Sequence, residues 1–231
     1  MVALPESTPH RQAFARLKEE LDARRPRALA TPLTADDPSL MPSGLLALDG
    51  ALGGGFTRGV VATLEGAGSS GRMAVAARLL ATVTRRTLAA VVDDGALFPP
   101  DLVRAGVVLE RLVVVPAPAA LGMARAVDIL LRAAAFGIVV MPAVRVRAAV
   151  WARLAGLAHH ANALLLVVGD APNELGFTAS TRVRCAIERV LWAHSSGIFN
   201  ELAGYHVRLD VIKNKRAAPG THARIHIGAV A

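Results

Sequence analysis

Cysteine and aromatic residues are scarce in this 231-residue chain. Cys185 is the only cysteine, which excludes an internal disulfide and any metal site built from several cysteines. A single cysteine also favours a reducing, cytoplasmic setting. Aromatic residues make up only 4% of the chain, which argues against a platform of rings on which the bases of single-stranded nucleic acid would stack.

Long apolar runs are also missing. No uninterrupted apolar stretch approaches the roughly 18–20 residues that a membrane-spanning helix needs. Residues 1–10 contain Glu6 and no apolar segment of the kind that secretory signals carry. We therefore expect no contact with a membrane. The hydrophobic content of 53% and the mean hydropathy of +0.43 instead predict a globular domain with a large core.

Lysine is rare, whereas positive charge is not. The chain has 26 basic residues against 18 acidic ones, for a net charge of +8, and only three of the basic residues are lysines. Residues 181–231 hold eight basic and three acidic residues, so their net charge of +5 (8 − 3) is most of the excess. This balance favours DNA or an acidic partner, because clustered cations attract polyanions.

The N-terminal part of the chain predicts one amphipathic helix within residues 1–25. Phe14, Leu17 and Leu21 recur at three- and four-residue spacing with charged residues between them. We expect this helix to dock on its own domain or on a neighbouring molecule. Prolines at four positions from 26 to 42 then predict an extended linker over residues 26–41, which leaves a core domain over residues 42–231.

The core domain shows the pattern of a parallel sheet covered by helices. Short apolar runs typical of buried strands alternate with segments of helical spacing. The predicted strands are residues 60–64, 88–92, 111–115, 137–141 and 164–168. The predicted helices are residues 73–86, 121–135 and 146–160. After residue 180, apolar and polar residues alternate over 182–191, 205–212 and 223–227, which predicts half-exposed antiparallel strands.

A glycine-rich turn follows the first predicted strand, and a helix begins directly after it. This turn, which we call the glycine loop (residues 66–71), has the Gly-x4-Gly spacing of a loop that binds phosphate through backbone N–H groups. Two required side chains differ, because Arg72 stands where a lysine would reach the terminal phosphates and Met73 stands where a hydroxyl would bind Mg²⁺. The candidate site consists of Gly66, Gly68, Ser69, Ser70, Gly71, Arg72 and Met73.

Three interpretations of the glycine loop remain open: a tight turn with no ligand, residual binding of a nucleotide or anion, and ATP hydrolysis. A second observation argues against hydrolysis. The predicted strand over 137–141 ends in Met141 and Pro142, where an aspartate would hold the metal. We therefore expect a chain without catalytic residues and without strong ATP binding.

A basic cluster lies near the C-terminal end of the sequence. Lys213, Lys215 and Arg216 form it, and Arg182 and Arg184 lie on one face of a predicted strand that could extend it. The cluster is either a solvated strand end or a contact for DNA phosphates or a protein partner. The seven histidines show no tetrahedral ligand set, so we predict no metal site.

Several segments resemble the RecA family in the same order along the chain. Residues 41–59 resemble the segment that leads RecA proteins into their phosphate-binding loop, which in active members continues with Lys-Thr. Residues 211–220 resemble a late RecA strand whose Lys-Asn-Lys lysines reach the nucleotide of a neighbouring subunit. Over residues 42–228 the chain is similar to RecA proteins and, within that family, to the catalytically degenerate ImuA group.

The resemblance also implies where functional groups have been lost. Asp94, or its neighbour Asp93, stands at the strand end that carries the catalytic glutamate in the family, and Asp170 stands in place of a glutamine that senses nucleotide and DNA. Only residues 171–176 separate Asp170 from the next RecA-like segment, where RecA has a long DNA-binding loop. We therefore expect no strand-exchange activity.

The resemblance implies a non-catalytic accessory protein of SOS-induced translesion synthesis and mutagenesis. Its implied partners are RecA, the ImuB protein and an error-prone DnaE-type polymerase, with weak DNA binding as a further expectation. One alternative is a divergent, DNA-stimulated ATPase that uses Arg72 and Asp94. The other is a cell-division inhibitor similar to SulA, which shares a RecA-like core without catalytic residues.

Overall fold

The structure is a computed structural model that describes residues 37–170, 172–194, 200–217 and 220–228. The predicted amphipathic helix with Phe14, Leu17 and Leu21 lies outside the described residues, as does the linker up to residue 36. Among the described residues, no helix has the length and apolar character to cross a membrane.

An eight-stranded sheet forms the centre of the fold. Its strands, in their order across the sheet, are β10 (His222–Gly228), β9 (Asn200–Asn214), β8 (Thr181–His194), β3 (Val61–Glu65), β7 (Leu164–Val168), β6 (Phe136–Pro142), β4 (Leu88–Asp93) and β5 (Leu112–Pro116). Six neighbouring strands, from β8 to β5, run parallel to one another, and β9 and β10 complete the sheet in antiparallel pairing. The predicted α/β class, with parallel strands and a C-terminal antiparallel part, is confirmed.

Helices cover both faces of the parallel part. The helices are α1 (Leu46–Leu52), α2 (Arg72–Thr84), α3 (Pro99–Ala105), α4 (Ala120–Arg132), α5 (Ala148–Ala161) and α6 (Asn173–Thr178). The first three pack on one face, where Leu48 and Leu79 join Leu64 of β3 in one core cluster. The other three pack on the opposite face, around Trp151 and Leu165. Because β3 and β7 are buried on both faces, every one of their positions is apolar or otherwise satisfied, as parallel strands require.

The antiparallel part is covered on one side only. Along β10, buried residues alternate with exposed ones, and Ala223, Ile225 and Ile227 face the core that α1 and α2 share. The polar residues between them face outward. This two-residue period matches the alternation that predicted antiparallel strands in the sequence.

The folded core begins before the predicted boundary at residue 42. A short strand β1 (Leu40–Met41) pairs with β2 (Phe56–Thr57), and Met41 and Phe56 are almost fully buried. The boundary was misplaced because prolines 38 and 42 exclude a helix but not an extended strand between them. The end of the predicted linker is therefore part of the domain.

Two further elements differ from the sequence-based expectation. Helix α6 occupies the short segment between β7 and β8, which lacks a long apolar repeat. The β8–β9 hairpin is also longer than the alternation predicted, because β8 continues to His194 and β9 begins at Asn200. In this outer part, and among the described residues, positions 192–194 of β8 and 200–202 of β9 pair only with each other, since β3 pairs with β8 up to Arg184 and β10 pairs with β9 from Gly204.

The early start of the core predicts a difference between two apolar residues near the boundary. Met41→Ala should lower the free energy of unfolding by about 2–5 kcal/mol, because it removes a buried side chain from a packed core. Leu46→Ala should change it by less than about 0.5 kcal/mol, because Leu46 is 90% exposed. Urea denaturation of both variants measures this, and equal effects would contradict the boundary that the structure gives.

Candidate functional site

The glycine loop has the backbone of a phosphate-binding turn between β3 and α2. Gly66, Ser69 and Gly71 have positive φ angles of 145°, 58° and 83°. A Cβ atom on Gly66 would lie 2.4 Å from the carbonyl oxygen of Cys185, so only glycine fits where the loop passes β8. The predicted strand, turn and helix are thus present in their expected positions.

The side chain of Arg72 folds back onto this loop. Its Nη1 donates hydrogen bonds to the carbonyl oxygens of Gly66 and Ala67, the latter at 2.8 Å. Arg72, which stands at the position of the phosphate-binding lysine, is therefore bonded to the loop itself. Met73, half exposed at the next position, offers only a thioether, which is a poor ligand for Mg²⁺.

A buried carboxylate stands directly before the loop. Glu65, at the end of β3, is 7% exposed and accepts a hydrogen bond of 2.7 Å from the hydroxyl of Thr63. Arg182 of the neighbouring strand β8 donates to both of its oxygens, from Nε at 2.6 Å and from Nη2 at 2.9 Å. These hydrogen bonds with Glu65 raise the pKa of Arg182 above the ordinary value of an arginine. Sequence analysis placed Arg182 in the basic cluster and missed Glu65, although a glutamate at the end of an apolar strand is a signal for a buried ion pair.

An open cleft of about 590 Å³ lies beside the glycine loop. Its walls are Glu65, the loop residues 66–70, Asp170 after β7, and Arg184, Cys185, Ala186 and Ile187 of β8. The hydroxyl of Ser70 is buried at its base and finds no hydrogen-bond partner within the described residues. Asp170 brings an exposed carboxylate to the place where a nucleotide phosphate would approach, which opposes anion binding.

Cys185 lies in the wall of the cleft. Burial raises the pKa of its thiol to about 12, and the charge of Arg72 offsets this only in part. The thiol is therefore protonated at neutral pH, and a protonated thiol is unreactive. The side chain of Cys185 faces the core, with 2% of the residue exposed.

The predicted acidic site residue lies away from the cleft. Asp94 is exposed after β4, and its Oδ1 accepts a hydrogen bond from the N–H of Ala96 at 3.3 Å. Asp93 accepts one from the N–H of Leu97 at 3.0 Å. Neither residue lines the cleft, and both stabilise the turn that leads to α3.

The basic cluster is partly used to hold the fold together. Lys213 donates to the carbonyl oxygens of Gly176 and Phe177 in α6, at 2.9 and 3.3 Å, and burial, together with Lys215 and Arg182, lowers its pKa. Arg216 donates to Ser39 Oγ at 2.7 Å and to Asp37 Oδ2 at 3.2 Å. Lys215 is exposed.

The two arginines of β8 have different surroundings. Arg182 lies opposite Lys213 in the β8–β9 pairing, so the structure brings these two predicted residues together. Arg184 is exposed and lines the cleft, opposite Asp210. Of the five basic residues, Lys215 and Arg184 are thus the ones with exposed side chains and no role in the ion pairs described above.

The Glu65–Arg182 pair predicts an unequal effect of the same substitution at two sites. Glu65→Gln should lower the free energy of unfolding by about 2–4 kcal/mol, because it leaves the guanidinium of Arg182 without its counter-ion in a largely buried place. The matched control is Glu188→Gln, which breaks the more exposed pair with Arg224 and should cost less than about 1 kcal/mol. Urea denaturation tests both, and a Glu65→Gln variant as stable as the parent would contradict a structural role for the pair.

Comparison with known proteins agrees with the fold and the loop. RecA of Picosynechococcus is 37% identical over 106 residues, which are 45% of this chain and 30% of that protein. RecA of Thermus thermophilus is 27% identical over 225 aligned residues, covering 81% of this chain and 66% of that protein. The chain thus spans less than two thirds of the length of these relatives.

A solved structure and a family model add to this relationship. The crystal structure of the RadB recombinase superposes with a TM-score of 0.64 at 18% identity, over 81% of this chain and 96% of that one, which shows a shared fold. The family model described as the MT3502 N-terminal domain matches residues 50–173, more than half of the chain and including the glycine loop. The chain therefore belongs to the MT3502 N-terminal domain family, within the RecA-like superfamily.

Proposed function

We propose that this chain is a non-catalytic, RecA-like accessory protein of the ImuA type. It acts in SOS-induced translesion synthesis through contacts with RecA, ImuB and an error-prone DnaE-type polymerase. The observation that carries this proposal is the position of Arg72, whose guanidinium is bonded to the carbonyl oxygens of its own loop. A RecA-like scaffold with this loop is suited to binding partners rather than to hydrolysing ATP.

Three features in or next to the glycine loop support the absence of nucleotide chemistry. Arg72 is engaged by the loop, Met73 cannot bind Mg²⁺, and Asp170 adds negative charge beside the loop. The glycines of the loop still have the positive φ angles that the turn needs. The absence of nucleotide chemistry would therefore come from the side chains and not from the backbone. These features also disfavour the alternative of a DNA-stimulated ATPase.

One exposed surface supports a role in protein contacts. Phe177, on helix α6, is 89% exposed, and Lys213 donates to its carbonyl oxygen and to that of Gly176. Exposed Lys215 lies in the same region, because its backbone N–H donates to Ser180 at 3.1 Å. An exposed aromatic side chain on a short helix held by hydrogen bonds from a lysine, with a cation nearby, is typical of the residues that dominate binding energy in protein interfaces.

Titration with ATP tests the non-catalytic part of the proposal. We expect the dissociation constant for ATP with Mg²⁺ to be weaker than about 1 mM by calorimetry, because the phosphate ligands are missing. RecA from the same organism serves as the positive control in the same buffer. Mg²⁺-dependent hydrolysis that is lost in an Arg72→Ala variant would contradict the proposal.

Binding to purified RecA tests the accessory part. Phe177→Ala should weaken the complex about tenfold or more, because a central aromatic side chain contributes about 2 kcal/mol to such interfaces. The matched control is Phe98→Ala, which removes an aromatic side chain that is 58% exposed next to α3, on the other half of the sheet. Surface plasmon resonance measures both. Absence of RecA binding, or equal binding by the two variants, would count against this surface.

A further inference from the structure

The outer face of the antiparallel strands carries an ordered array of polar side chains. On β9 and β10 the residues that alternate with the core positions point away from the helices, and they are half-exposed or exposed. In the β9–β10 pairing, Arg208 lies opposite Arg224 and His206 lies opposite His226. Since these are direct cross-strand neighbours, their side chains are close enough to share a ligand.

The two histidines meet across the strands. Their ring centroids are 5.4 Å apart, and the ring planes are inclined by 74°. His206 is half-exposed and His226 is exposed, so solvent reaches both rings. Spacing in the sequence gave no sign of this pair, because the two residues belong to different strands and meet only through the register of the hairpin.

This separation fits two imidazoles that bind one metal ion. With a zinc–nitrogen bond of about 2.0–2.1 Å, each ring centroid lies about 3.2 Å from the ion, so a tetrahedral angle places the centroids about 5.2 Å apart. The observed 5.4 Å corresponds to an angle of about 115° at the metal in the same geometry. The adjacent His159 and His160 on α5, at 6.1 Å, would need about 145° and do not fit.

The surroundings leave room beside the pair. Gly204 and Gly228 lie opposite each other in the next row of the same two strands. His226 leans over Gly204, and its Nε2 is 2.8 Å from the point that a Cβ atom of Gly204 would occupy. A side chain at position 204 would therefore displace the imidazole ring of His226, whereas glycine leaves the outer edge of that ring open to solvent.

Charged neighbours of the pair are largely balanced. Arg208 donates to Asp210 at 2.8 Å, and Arg224 is paired with Glu188. Arg189 of β8 lies opposite His206 on its other side. Because carboxylates hold two of the three guanidinium groups, their repulsion of a bound cation is reduced.

We propose that His206 and His226 form a two-histidine chelate for a divalent transition metal ion, with Zn²⁺, a common partner of imidazole, as the probe ion. No group of three His, Cys, Asp or Glu side chains fit to hold a metal occurs among the residues that the structure describes. The protein therefore supplies two ligands, and water completes the tetrahedron. The bound ion joins β10, the edge strand of the sheet, to β9, and it stabilises the folded state because the unfolded chain does not hold the two rings together.

Calorimetric titration of the tag-free, full-length protein with ZnCl₂ tests this proposal. Replacement of either ligand, in His206→Ala or His226→Ala, should weaken Zn²⁺ binding about tenfold or more. The controls are His159→Ala and His222→Ala, which should leave the affinity unchanged. His222 is the stricter control, because it lies on the same face of the same strand as His226, four residues or roughly 13 Å away.

Two further readouts separate metal binding from simple packing of the rings. Saturating Zn²⁺ should raise the melting temperature of the parent protein but not that of His206→Ala, and Cu²⁺ should give an electron paramagnetic resonance spectrum with coupling to two nitrogens. The melting temperatures without metal show whether each variant is folded. Unchanged Zn²⁺ affinity in a folded His206→Ala or His226→Ala variant would overturn the proposal, as would an equal loss in His222→Ala or no Zn²⁺ binding by the parent.

Discussion

The ion pair between Glu65 and Arg182 joins the two parts of the sheet. Glu65 ends β3, the last strand that is buried on both faces, and Arg182 lies near the start of β8, where the antiparallel part begins. A buried carboxylate is tolerated only when its charge is compensated, so β8 has to lie beside β3 in this register. The same pair sets the starting point of the glycine loop. The position of the cleft therefore depends on a contact that has no part in binding phosphate.

The glycine loop separates the shape of a site from its chemistry. Its turn depends on backbone angles that glycine permits, and these are kept at Gly66 and Gly71. Its chemistry would depend on the side chains that follow, and Arg72 and Met73 have replaced them. An arginine that bonds the carbonyl oxygens of its own loop also stabilises the turn.

Local patterns in the sequence predicted most of the fold. The apolar runs of β3, β4, β6 and β7 and the helical spacing of α2, α4 and α5 predicted these elements to within about three residues, because packing against the core leaves a periodic or continuous apolar signal. Features that depend on distant partners were not predictable in the same way. Glu65 appeared as an isolated charge, His206 and His226 appeared unrelated, and Met41 was assigned to the linker. Each of these residues is explained only by a neighbour that the fold supplies. The glycine loop was predicted at its place in the chain, but the hydrogen bonds from Arg72 to its own loop and the turn that Asp94 stabilises required the structure.

The order of the strands has a consequence for folding during synthesis. Both neighbours of β3 come from late in the chain, since Val61 pairs with Leu165 and Ala62 with Thr181. During synthesis, at about 5–20 residues per second, Glu65 leaves the ribosome roughly 6–23 seconds before Arg182, which is 117 residues further on. In that interval an apolar strand and a buried carboxylate have no partners, so the first half of the domain cannot complete its sheet. Contacts of such long sequence separation slow folding, and the nascent chain depends on its last third to become a domain.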